Sequence, residues 1–182
     1  VLLLLDAVLC GCVVGILSGG RLRNIMSVQL RAERVLIVLF AIQLVLPQLA
    51  DVIGMSRPLA LSVWVVVMVT LSLVALLNMS HFGMLLVSLG IVLNALVIAL
   101  NGAMPVSEEA ASTVVGHEFS MQVEDGDILH EPLRSSTVAP YLADVIALPG
   151  PTWHRGVISA GDLLIALGVG VFVLGATRKH GT

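Results

Sequence analysis

The chain has 182 residues, of which 58% are hydrophobic and only 12% charged, with mean hydropathy +1.05 and a net charge of −3. A soluble domain carries about a quarter charged residues, so this composition excludes one and points to an integral membrane protein. The slightly acidic balance also excludes nucleic acid as a partner.

A helix needs about 20 apolar residues to cross a bilayer, and five segments approach that length. The first covers about 1–18 and contains Cys10 and Cys12. Residues two apart on a helix point roughly 200° from one another, so these thiols are read as small apolar residues rather than a disulfide or a metal pair. "LCGC" resembles a lipoprotein cleavage box, but no basic segment precedes it, and the arginines follow the apolar run. A retained span is therefore expected rather than a cleaved signal peptide. With Val1 in place of an initiator Met, a few preceding residues are expected. Gly11 and Gly15, four apart, offer a face for close helix packing, with a partner inside the chain or on another protein.

The connector "GGRLRNIMSVQLRAER" holds Arg21, Arg23, Arg31 and Arg34 against one acid, Glu33. Ile25, Val28, Leu30 and Leu36 could line one side of an amphipathic helix lying on anionic headgroups. A plain orientation signal explains the arginines equally well. The second span, about 35–53, carries Gln43 and Pro47, and the proline is expected to bend only its last turn. The third (59–77) and fourth (82–100) contain no charge, and the tight "NMSHFG" turn between them makes them an antiparallel pair. Asn78 or Ser80 is expected to cap the fourth.

Residues 102–157 form the one long polar stretch, with eight acids against Arg134 and Arg155. A short hairpin is expected where "FSMQV" and "ILHEPL" flank "EDGD". The fifth span, about 158–177, opens with Ser159-Ala-Gly-Asp162, the spacing of a capping box. Ser159 can accept from the Asp162 N–H while the Asp162 carboxylate reaches back to the N–H of Ser159. By the positive-inside rule, the arginine-rich connector and the Arg178–Lys179 tail are cytoplasmic. The expected architecture is thus all-α: a five-helix transmembrane bundle, N-terminus outside and C-terminus inside, with residues 102–157 as one acidic extracytoplasmic cap loop.

Polar groups then gather at the outer edge: Asp6, Asp51, Asn94, Asn101, His117, His130, Asp144, His154 and Asp162. Carboxylates with imidazoles can ligate a divalent cation, yet no HExxH, paired CxxC or His-x-His spacing occurs, so neither a metal nor a cofactor is assigned. No nucleophile elbow, phosphate loop or dinucleotide fingerprint is present either.

The stretches "GILSGGRLRNIMSVQLRAERVLIVLFAIQLVLPQLA", "LGIVLNALVIALNGAMPVS", "LADVIALPGP" and "GVISAGDLLIALGVGVFVL" together resemble the bacterial membrane proteins of domain-of-unknown-function family 5317. Where the family pattern carries a basic residue before Met-Pro-Val, Ala103 stands here. The resemblance implies a multi-pass protein of the bacterial cell (inner) membrane. It marks Asn101, Pro105, Asp144 and Asp162 as motif positions without assigned chemistry.

Three functions are weighed. The leading expectation is a non-enzymatic accessory or scaffold subunit of a membrane complex, with membrane lipids and a membrane-protein partner or a second copy as its contacts. The second is an outer-leaflet enzyme acting on a lipid headgroup or envelope precursor, with Asp144, Asp162, His130 and Asn101 as its catalytic candidates. The third is a small transporter, which the scarcity of charge deep within the spans argues against.

Overall fold

A computed structural model describes residues 2–114, 128–151 and 153–178. The protein is mostly helical, and four helices are long and apolar enough to cross a membrane: α2 (Glu33–Val52), α3 (Arg57–Leu77), α4 (Met84–Asn101) and α6 (Ala160–Arg178). A fifth apolar helix, α1 (Leu2–Leu17), is 16 residues long. Such helices satisfy their own backbone groups, and their side chains decide how they meet.

The helices stand side by side in the order α2, α3, α4, α6, α1. Small residues set the contacts around α6. A Cβ on Gly11 would strike the Gly170 carbonyl and Val173, and one on Gly15 would strike the Thr177 side chain. The glycine face of α1 is therefore used within the chain, on α6. On the other side of α6, the backbones of Gly90 and Gly161, and of Gly83 and Gly168, touch where α4 crosses. The α3–α4 contact adds a buried hydroxyl pair, Ser72 Oγ to Ser88 Oγ at 2.8 Å. α2 packs chiefly on α3 and buries only Leu46 and Ala50.

One end of the bundle gathers the arginine-rich connector, the α3–α4 turn and the end of α6. The Arg21 N–H and the Asn24 amide both donate to the Thr177 carbonyl, at 2.9 and 2.7 Å. The amphipathic helix considered for this connector does not form. A 3-10 turn ends at Ser27, Ala32 adopts a left-handed φ of 55°, and α2 starts at Glu33. The cause is Asn78, whose side chain accepts from the Arg31 N–H at 2.7 Å and donates to the Arg31 carbonyl at 3.0 Å. Thus engaged, Asn78 does not cap α4. Ser80 does not either: α4 follows Gly83, at φ 86°, with no side-chain cap.

The other end carries a small cap. Strand β1 (Met104–Val106) pairs in parallel with β2 (His130–Pro132), and β3 (Ile146–Leu148) pairs antiparallel with β4 (Gly156–Ile158), which leads into α6. Between β1 and β2, α5 (Glu108–Val114) buries Ala110 and Ala111. The expected hairpin is corrected in its "ILHEPL" half, which pairs with β1 because Met104 and Leu129 bury themselves in one core with Leu61, Ala95 and Ile98. Its "FSMQV" and "EDGD" parts lie outside the described residues, as does Lys179. Arg57, at the start of α3, donates to the Ile128 and His130 carbonyls and so ties the cap to the α2–α3 turn.

Backbone-to-backbone contact at α4–α6 leaves no room for a side chain. Gly90→Leu is expected to lower stability by about 1–3 kcal/mol or more through overpacking. Gly156→Ala, which meets nothing within 4 Å, is expected to leave it nearly unchanged. Thermal unfolding in nanodiscs compares the two.

Candidate ligand cavity and its polar mouth

Because α2 leans away on α3, a cavity of about 760 Å³ opens between α2, α3, α4 and α6. Its walls are mainly apolar, including Phe40 of α2, Trp64 and Met68 of α3, Ile91 of α4, and Ile165 and Phe172 of α6. Gln43 of α2 is a polar exception on the wall. Pro47, four residues on, has no N–H to give the Gln43 carbonyl, so backbone polarity is added on the same helix. The remaining polar lining is Asn94, His130, Asp144 and Asp162, on the cap side.

Asp162 belongs to the capping box. The Asp162 N–H donates to Ser159 Oγ at 3.0 Å, and the Ser159 N–H donates to Asp162 Oδ2 at 3.1 Å. The structure adds a third member from another helix. Asn94 donates through Nδ2 to Asp162 Oδ1 at 2.8 Å, and its Oδ1 accepts from the Ser159 hydroxyl at 2.9 Å. Ser159 is fully buried and Asn94 nearly so. Capping and helix crossing are thus served by one closed network.

Asp144 reaches the mouth from the cap. Its N–H donates to the Pro105 carbonyl and its own carbonyl accepts from the Ser107 N–H, each at 2.9 Å. This parallel bridge fixes the backbone beside β1. The side chain is only 9% exposed. Oδ2 lies 4.0 Å from His130 Nε2, beyond hydrogen-bond length. Oδ1 is buried with no hydrogen-bond partner among the described residues. Burial, reinforced by the nearby Asp162 charge and opposed by His130, pushes the Asp144 carboxyl from 3.8 up to about 7.

Of the four catalytic candidates, Asp144, Asp162 and His130 share the cavity mouth and Asn101 does not. Asn101 donates to the Val97 and Val138 carbonyls and accepts from the Val138 N–H, clamping a cap loop to the end of α4. Asp6 and His154 bond to each other, joining α1 to the β3–β4 loop. Asp51 is exposed at the end of α2, and His117 lies outside the described residues. No three metal-ligating side chains gather among the described residues. Trp64 and the cavity itself had no counterpart in the sequence reading. The nearest signal was Pro47 following Gln43.

The model of a family of unknown function (DUF5317) matches residues 27–174. The chain belongs to this DUF5317 family. The matched stretch takes in α2, α3, α4, the whole cap and most of α6, hence nearly every wall of the cavity. No curated protein and no solved structure matches the DUF5317 chain.

A carboxyl whose pKa rises on folding holds its proton longer in the folded state than in the unfolded one. The Asp144 contribution to stability therefore falls as pH rises from about 4 to about 7 and levels off above. Asp144→Asn removes the ionisation. Its thermal midpoint is expected to match the parent's near pH 4 and to exceed it increasingly up to about pH 8, as read by unfolding scans across that range.

Proposed function

We propose that this protein is a five-pass protein of the bacterial cell membrane that holds the apolar chain of a membrane amphiphile. The chain lies between α2, α3, α4 and α6, and the headgroup meets the cap. The observation that carries this reading is the cavity of about 760 Å³, apolar along its walls and polar at one end. That volume is within the range of about 300–1,000 Å³ typical of small-molecule sites. A lipid tail suits such walls because burying it there costs no polar desolvation.

The orientation rests on charge. Arg21, Arg23, Arg31, Arg34 and Arg178 belong to the end opposite the cap, so the positive-inside rule sets the cap and the N-terminus outside and the C-terminus inside. On that orientation the polar mouth faces the outer leaflet. α1, packed along α6 by its glycines, supplies the fifth crossing.

The accessory or scaffold role leaned on small-residue packing faces, together with five short spans, one acidic outer cap and no recognisable active-site constellation, and the Gly11–Gly15 face is used within the chain, on α6. That favours ligand binding over scaffolding. An outer-leaflet enzyme would share the same mouth, with Asp144, Asp162 and His130 beside the headgroup.

The chain has two tryptophans, so Trp153→Phe leaves Trp64 as a reporter inside the cavity. A mid-chain-brominated single-tailed amphiphile, titrated into nanodiscs of unbrominated lipid, is expected to quench Trp64 saturably. Adding Gln43→Phe and Ile91→Phe, which narrow the cavity, is expected to abolish the saturable part. Quenching that is linear in probe and indifferent to those substitutions contradicts the reading.

A further inference from the structure

The end of the bundle opposite the cap carries positive charge that the chain itself does not answer. Arg21, Arg23, Arg31, Arg34 and Arg178 are all exposed there, and their side chains make no hydrogen bond or ion pair among the described residues. Arg57, at the cap end, is the contrast, since its guanidinium is engaged by the Ile128 and His130 carbonyls. Glu33 is the one acid in the connector and pairs with none of the arginines. The α3–α4 turn adds His81, which faces the Gln29 carbonyl, and no acid. Like charges gathered on one face attract an anion from outside the chain.

These arginines are carried on a strap tied at two places. The Arg21 N–H and the Asn24 amide hold the Thr177 carbonyl, and Asn78 holds both backbone groups of Arg31. Arg21 and Arg178 therefore spring from neighbouring backbone at the end of α6, while Arg31 and Arg34 flank the start of α2. With the backbone already ordered, an anion has only arginine rotamers to fix. Two apolar side chains on the strap identify the kind of anion. Leu22, between Arg21 and Arg23, is 50% exposed, and Met26 is 86% exposed, both outside the spans. They leave water if they enter the acyl boundary while the arginines stay at headgroup height, as basic interfacial segments do. A soluble anion would leave them in water.

We propose that the strap binds anionic phospholipid headgroups in the leaflet opposite the cap, with the arginines on the phosphates and Leu22 and Met26 among the acyl chains. The assignment uses no residue of the cavity and stands apart from the chain-binding reading above.

Met26→Trp, combined with Trp64→Phe and Trp153→Phe, leaves a single tryptophan, on the strap. The full chain is placed in phosphatidylcholine nanodiscs holding an equal minor share of brominated phosphatidylglycerol or brominated phosphatidylcholine. The association constant of the brominated phosphatidylglycerol, read from quenching at low salt, is expected to be at least about fivefold the larger, the factor one surface arginine supplies. High salt is expected to narrow the gap. Glutamine at Arg21, Arg23, Arg31, Arg34 and Arg178 is expected to bring the two lipids close to parity. Lysine at the same five positions is expected to keep most of the preference, which separates lost charge from lost folding. Arg134→Gln, on the cap, is expected to change nothing. Equal quenching by the two lipids, a preference that survives the glutamine set, or one lost equally to lysine overturns the assignment. Saturable binding of a labelled oligoglutamate without any lipid preference also overturns it, and marks the strap as a dock for an acidic protein segment.

Discussion

Asn94 is the residue on which the arrangement turns. Its amide gives one hydrogen bond to Asp162 and takes one from Ser159, and those two residues cap the same helix end. An interhelical hydrogen bond in a membrane contributes on the order of 0.6 kcal/mol on average, so the network's value lies more in geometry than in energy. It fixes the height at which α6 starts against α4. The contacts of Gly90 with Gly161 and Gly83 with Gly168 then follow along the crossing. Since α1 rests on α6, and α3 on α4, the placement of both neighbours depends on this register.

The same register creates the cavity. With α4 and α6 locked backbone to backbone, and α3 fixed to α4 through the Ser72–Ser88 pair, the three helices form a rigid wall. α2 attaches at one side of it through α3. The space beneath α2 is closed on the cap side by segments far apart in the chain. Met104 follows α4, Leu129 and His130 lie where β2 begins, and Asp144 bridges to β1. Parallel pairing of β1 with β2 brings them together. Asp144 is thereby held by its backbone at the cap end of the cavity.

The local features of the fold were legible in the sequence. Five of the six described helices, all but the short α5, begin and end within about two residues of an apolar segment's edge, because hydropathy and helix length answer to one constraint. The Ser159–Asp162 capping box was legible too, since both partners lie within one helical turn. Long-range polar choices were not. Asn78 and Asn101 look alike on a sequence, polar residues at helix ends, yet one fastens the Arg31 backbone and the other the Val138 backbone. Which distant backbone group an amide meets depends on packing that local spacing does not encode. The Gly11–Gly15 face was visible, but not that α6 would fill it. A cavity is by nature a property of helices that fail to meet, so Trp64 and Phe40 read as ordinary apolar residues until α2 is placed.

The central claim is that α2 stands off α6 because an amphiphile's chain belongs between them. The most direct measurement is a single-particle density map of the natively purified protein in nanodiscs. The account predicts elongated density beside Trp64 and Phe172, ending on the cap side next to Asp144 and Asp162. A map with α2 packed onto α6 and Phe40 against Phe172, leaving no room for a chain, would contradict it.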